Sequence, residues 1–199
     1  MKVIIDCGHG GIDKDGNYTT APDKQAKVNG KWVYEGLLNR TIGGMLAHLL
    51  QWDGHNVIFT VHPNDSRDIS LSQRVKVANA NTDGLFVSIH CNAFNGSVRG
   101  FEIFTTKGET NSDKLAERIA SEVEKVVKPY GLPLRFDNTD GDKDKEVDYY
   151  VLRKTKGVAV LVECFFFDNI QDMALFNDKD FLGKFVGALY RGVVSGNEA

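Results

Sequence analysis

The sequence predicts an α/β protein, with a mostly parallel twisted sheet of about six strands sandwiched between helices and any site at the carboxyl ends of the strands. Three observations predict it. Short apolar runs alternate with stretches of helical periodicity along the chain. The run "VAVLVE" (Val158–Glu163) is nearly continuous in apolar character, as a strand covered on both faces requires. The 199 residues, 42% hydrophobic and 26% charged, suit a single globular domain with a substantial core.

The first strand is "KVIID" (Lys2–Asp6), ended by Gly8. Residues 13–31 are polar, carry Gly16, Pro22 and Gly30, and read as a long loop. Between Tyr34 and Gln51, Leu37, Leu38, Ile42, Met45, Leu46, Leu49 and Leu50 recur at helical spacing. "WDGH" stops that helix, and "HNVIFTV" (His55–Val61) is the second strand. The turn-rich "HPNDSRD" leads into a helix over Ser70–Thr82. Ser70 is its N-cap and Gln73 stands three residues on, as in a capping box.

"LFVSIH" (Leu85–His90) and "GFEIFTT" (Gly100–Thr106) are the third and fourth strands, and Ser112–Val127 is a helix ending before Pro129. Tyr130–Val147 is polar and charged and reads as a mobile surface loop, with a substrate-rim loop as the alternative. "YYVL" reads as a short strand, followed by "VAVLVE", a helix over Asn169–Phe176 and a closing amphipathic helix over Phe181–Val194. No internal repeat, linker or separate second module is visible, so residues 1–199 read as one domain.

Composition narrows the function. A net charge of −3 gives no basic field for nucleic acid or an anionic membrane. No stretch reaches the roughly 20 apolar residues that span a bilayer. No signal peptide is visible at the start. Cys7, Cys91 and Cys164 are odd in number and widely spaced, which argues against a disulfide framework. They read as small buried side chains, with metal ligation by Cys7 as an alternative.

Chemistry-bearing residues gather at strand ends. His9 follows "VIIDCG", His90 closes "LFVSIH" and Glu163 closes "VAVLVE". Glu35 opens the first long helix, whose N-terminus favours a carboxylate. In a parallel sheet these four meet on one rim. Two histidines and a carboxylate are a ligand set of catalytic zinc, and a second carboxylate beside them can act as general base. The residues leave open which glutamate would ligate. Any of the four alone is open to a bland reading: a packed histidine, a tight turn, a first-turn carboxylate. Glu163 is the hardest to dismiss, because a carboxylate ending an apolar strand is costly to bury without a partner. His48, His55 and His62 read as structural or exposed.

Five blocks in order, "VIIDCGHGG", "YEGLLNRTIGGMLAHLL", "SRDISLSQRVKVANANTDGLFVSIHCNAF", "GFEIFTT" and "VLRKTKGVAVLVECFFFDN", make the sequence resemble the zinc-dependent N-acetylmuramoyl-L-alanine amidases of the Amidase_3 family. These are the catalytic domains of autolysins and phage endolysins. The resemblance implies one zinc ion held by His9, Glu35 and His90, with Glu163 as the catalytic carboxylate. It implies peptidoglycan as substrate, cut between N-acetylmuramic acid and L-alanine. A stem-peptide carboxypeptidase-like zinc hydrolase and a silent wall-binding relative are the alternative readings. Action on the cell wall is implied, as a monomer, without nucleic acid or membrane insertion. A holin-type release partner follows if the chain is phage-encoded, and a trimmed secreted domain is the other origin. The chain departs from the family pattern at Cys91, at Cys164-Phe165 and at Gly157-Val158, which bears on substrate fit.

Overall fold

The computed structural model describes residues 1–137, 139 and 141–196. Its main sheet has six strands in the order β4-β1-β5-β8-β6-β7. These are β1 (Lys2–Cys7), β4 (Asn56–Phe59), β5 (Leu85–Asn92), β6 (Glu102–Thr105), β7 (Lys145–Glu146) and β8 (Ala159–Phe166). The first four in that order run parallel. β6 runs antiparallel to β8, and β7 is parallel to β6, so two reversed strands close one edge. The predicted α/β class, mostly parallel, is what the chain adopts.

Strand alternation divides the side chains between two cores. Val3, Ile5 and Cys7, then Val87, Ile89 and Cys91, then Val160, Val162 and Cys164 point into the larger one. That core is shared with α1 (Glu35–Trp52), α3 (Asn111–Val127) and α6 (Lys179–Val194), joined by Met173 of α5 (Ile170–Asn177). Ile4, Phe86, Ala159 and Leu161 face the other way. They pack with Val75 and Ala78 of α2 (Leu71–Asn79) and with Val151 and Leu152 of α4 (Tyr150–Lys154). Near-continuous apolar strands follow from having helices on both faces. The same parity puts Asp6, Ser88, His90 and Glu163 on the α2/α4 side and sends all three cysteines, buried and free, to the opposite side.

The helices begin where the sequence supplies caps. Ser70 and Gln73 form the expected capping box of α2, and Thr110 with Asp113 forms another for α3. Asn169 Oδ1 accepts from the Gln171 and Asp172 amides, and Asp178 caps α6 in the same way. Among the described residues no helix is long and apolar enough to cross a membrane.

Three expectations are corrected. Residues 13–31 are not all loop. β2 (Gln25–Val28) and β3 (Lys31–Tyr34) pair as an antiparallel hairpin. Asn29 and Gly30 turn it with φ of 51° and 75°, the positive pair that a two-residue hairpin turn needs. "YYVL" is the start of helix α4 rather than a strand. Its β-branched and aromatic character is overridden because Val151 and Leu152, adjacent in sequence, are both buried in the smaller core, whereas strand alternation would expose one of them. The Tyr130–Val147 segment is not loop throughout. Leu134 bridges Phe101, Lys145 and Glu146 form β7, and Asp144 is buried against the Thr105 hydroxyl. Positions 138 and 140 of this segment lie outside the described residues.

Candidate functional site

His90 and Glu163 are register partners on adjacent parallel strands, so their side chains stand side by side on one face. The pairing shifts register immediately beyond His90, a bulge of the kind that re-aims side chains at sites. Glu102 on β6 pairs with Glu163 from the other side, extending the polar row.

His9 reaches the same rim from the turn after β1. Its φ of 64° is left-handed, a strained region for a residue with a Cβ. Two buried arginines hold that turn. Arg40 Nη1 donates to the His9 carbonyl at 2.8 Å and to the Gly10 carbonyl at 2.8 Å. Arg74 Nη1 donates to the Cys7 carbonyl at 2.7 Å, and its Nη2 reaches the His9 carbonyl at 3.4 Å. Amides of Gly10 and Gly11 donate to the Thr20 and Thr19 hydroxyls. Gly36 is required here, because a Cβ on it would stand 1.8 Å from the Gly10 carbonyl oxygen. Gly8 is required too, because a Cβ would stand 2.2 Å from the His90 ring.

Glu35, the first residue of α1, comes from the opposite layer and leans over the rim. It is 2% exposed. Its Oε1 lies 3.2 Å from His9 Nε2 and 3.0 Å from His90 Nδ1. Asn39 Nδ2, one turn on, donates to Glu35 Oε1 at 3.3 Å and to the Gly8 carbonyl at 3.0 Å, tying helix to turn. Burial would raise the Glu35 carboxyl, but its hydrogen bonds to His9 and His90 outweigh this and hold it well below the usual range. Burial works against protonation of His90, and its contact with Glu35 reverses that and raises it.

The donor atoms of His9, Glu35 and His90 all lie within 4.8 Å of one another. This is the only such group of three or more His, Cys, Asp or Glu among the described residues. Two imidazole nitrogens and a carboxylate oxygen fit zinc. Bonds of about 2.0–2.1 Å in a tetrahedron place neighbouring donors about 3.3 Å apart, close to the two Glu35 separations. Cys7 does not belong to the group. Its Sγ packs toward Gly43 of α1, where an added Cβ would come within 2.5 Å. His48 and His62 are exposed, and His55 pairs with Asp53.

Glu163 stands beside the group without joining it. Its Oε2 is buried with no hydrogen-bond partner among the described residues. Burial pushes its carboxyl up to about 8; His90 opposes the shift, and Glu35 and Glu102 add to it. A carboxyl poised near neutral pH can take and return a proton. Two cavities, of about 720 and 320 Å³, share His9, His90, Glu163 and Lys24 as lining residues. A groove of about 810 Å³ between α1 and α6 is larger but contains none of these groups, so donor chemistry rather than size marks the site.

Sequence reasoning missed the supports. Asp6, fully buried, accepts from Arg74 Nη1 at 2.6 Å and from the Thr60 and Ser88 hydroxyls. The signal was available: an aspartate inside "VIIDC" needs a buried partner. Burial would raise the Asp6 carboxyl, but Arg74, Thr60 and Ser88 together override it and hold it below the usual range. A depressed carboxylate stabilises the fold above the ordinary aspartate value of about 3.9, and that contribution is lost as pH falls through the lowered value. Arg74→Met leaves Asp6 buried and unpaired, which costs about 3–5 kcal/mol near neutral pH. Thermal unfolding of parent and variant should show the widest gap at pH 7 and a narrowing gap in acid.

Fold and site together define an α/β protein with a candidate metal centre at the carboxyl rim of its sheet. Residues 3–195 match the Amidase_3 model, described as N-acetylmuramoyl-L-alanine amidase, and the chain belongs to that family. It is 28% identical over 197 residues to the N-acetylmuramoyl-L-alanine amidase CwlM of Bacillus licheniformis, covering 98% of this chain and 67% of that protein. An uncharacterised cell wall amidase of Bacillus anthracis is 28% identical over 96% of this chain, which spans only 34% of that relative's length. The crystal structure of an N-acetylmuramoyl-L-alanine amidase from Clostridium difficile 630 superposes with a TM-score of 0.77 at 26% identity, covering 98% of this chain and 95% of that one.

Proposed function

We propose that the chain is a zinc-dependent peptidoglycan hydrolase that cleaves the amide between the lactyl carboxyl of N-acetylmuramic acid and the amino group of L-alanine. The observation that carries this is the convergence of His9, Glu35 and His90 beside the unpartnered carboxylate of Glu163. In this reading residues 1–199 make up one catalytic domain, acting on the cell wall as a monomer.

His9, Glu35 and His90 hold the ion, and Glu163 stays outside its ligand set. Zinc in such a site supplies Lewis acidity to the amide carbonyl and to water. Glu163 takes a proton from water as the water oxygen attacks the carbonyl carbon. It then hands that proton to the alanine nitrogen as the C–N bond breaks. The products are a lactyl carboxylate on the sugar and a peptide with a free amino terminus. Arg40 and Arg74 keep His9 in its strained conformation throughout, and Asn39 keeps Glu35 against the two rings.

Mass analysis of digested muropeptides tests the bond. The expected result is sugar strands freed of peptide, with stem peptides of full length. Activity should vanish on chelation and return with added zinc. Shortened stem peptides would support the carboxypeptidase alternative, and release that survives chelation would remove the metal from the account.

A further inference from the structure

A single short turn places a cation at the centre of the cleft. Pro22–Lys24 form a turn of 3-10 helix just before the β2–β3 hairpin, and Lys24 lines both cavities that meet at Glu163. Its field reaches the Glu163 carboxylate. Among the described residues lining the two cavities, the only other Lys or Arg is Arg74. That guanidinium is buried and committed to Asp6, Asp68 and the Cys7 carbonyl. Lys24 is differently placed. Among the described residues its only ion pair is with its chain neighbour Asp23 at 3.5 Å, and that side chain is itself 70% exposed. Its ammonium therefore keeps donors to offer.

The remaining ionisable groups of the cleft are mostly acidic: Asp6, Asp23, Glu35, Asp68 and Glu163. Away from the metal site, Lys24 is the cation of the cleft with donors to offer, so it marks where an anion can sit. The substrate of the proposed reaction limits what that anion is. An N-acetylmuramoyl peptide carries no charge on its sugar, and its lactyl carboxyl is tied up in the bond to be cut. Every anion therefore lies on the peptide. Where the residue after the alanine carries a free carboxylate, that group is the closest anion, within two residues of the scissile nitrogen. Two residues span at most about 7 Å, and Lys24 lines both of the cavities that Glu163 lines.

Resting on the amidase reading above, we propose that Lys24 is a specificity-determining residue that binds the free carboxylate of the second stem-peptide residue and so orients the peptide side of the scissile amide. It reaches the substrate, not the metal ligands. The cleft consequently distinguishes walls whose second residue is a free acid from walls in which that group is amidated.

The test compares two synthetic muramoyl tripeptides that differ only in whether this group is a carboxylate or a carboxamide, using zinc-loaded protein. The parent should prefer the free acid. In Lys24→Gln the ratio of kcat/KM values, acid over amide, should fall about tenfold, with the loss carried by KM. Lys24→Arg keeps the charge and should restore most of the ratio, and bound zinc should be equal in all three proteins. An unchanged ratio overturns the proposal. So does an equal loss of kcat on both substrates, which would place Lys24 at the reacting carbonyl instead. Cleavage of neither compound by the parent would instead bring down the amidase reading itself.

Discussion

Glu163→Gln should lower turnover about 10²- to 10⁴-fold, the usual range for loss of a general base, while zinc binding persists. The glutamine is nearly isosteric, so the recess keeps its shape and the neighbouring strands their packing. What is lost is the ability to accept the proton of the attacking water. The geometry makes the separation sharp. Glu163 is the register partner of His90, yet it stands outside the three-donor group, and its Oε2 has no hydrogen-bond partner among the described residues. A carboxyl that burial pushes up to about 8 is costly to ionise and finds no structural ion pair there. The substitution should therefore leave stability unchanged or improve it above neutral pH. The ordinary glutamate value is about 4.3, so stability falls as pH rises from there to about 8, and an uncharged amide removes that penalty. Steady-state rates on purified cell walls, with zinc titrated separately, check both halves.

Glu35→Ala should behave in the opposite way, with zinc affinity and turnover lost together. Outer partners of a metal ligand cost about 10–100-fold in affinity when removed, and a direct ligand should cost more. Glu35 Oε1 also contacts both imidazoles and accepts from Asn39 and the Cys91 amide, so its removal frees four groups at once. His90→Ala should match it in both readouts. Competition with a coloured chelator measures the affinity. Retention of parental affinity in Glu35→Ala would move the ligand role to another carboxylate, and Glu163 is the one within reach.

The pattern of what could be read from the sequence follows from how locally each feature is determined. His90 and Glu163 were legible because a buried strand alternates strictly, so the terminal residue of each run has a known face and a known end. Glu35 was legible as a helix start, though not as a ligand, because only the family resemblance separated the two glutamates. Arg74 and Asp6 are 68 residues apart, and neither residue's local pattern names the other. The hairpin at Asn29-Gly30 had a local signal in its turn pair, masked by the lysines and polar residues around it. The "YYVL" segment misled because its apolar residues fit a strand until the second core claims two neighbours together. Lys24 carries no pattern at all. Only the folding of its turn over the rim brings it between two cavities.

The position of the metal decides between His9, Glu35 and His90 as its ligands and any other set. Anomalous diffraction at the zinc edge from crystals grown with zinc should give a single strong peak about 2.0–2.1 Å from His9 Nε2, His90 Nδ1 and a Glu35 oxygen, with Glu163 beside it and outside bonding distance. A peak that takes Glu163 as a ligand in place of Glu35, or one that lies away from this rim, would contradict the account.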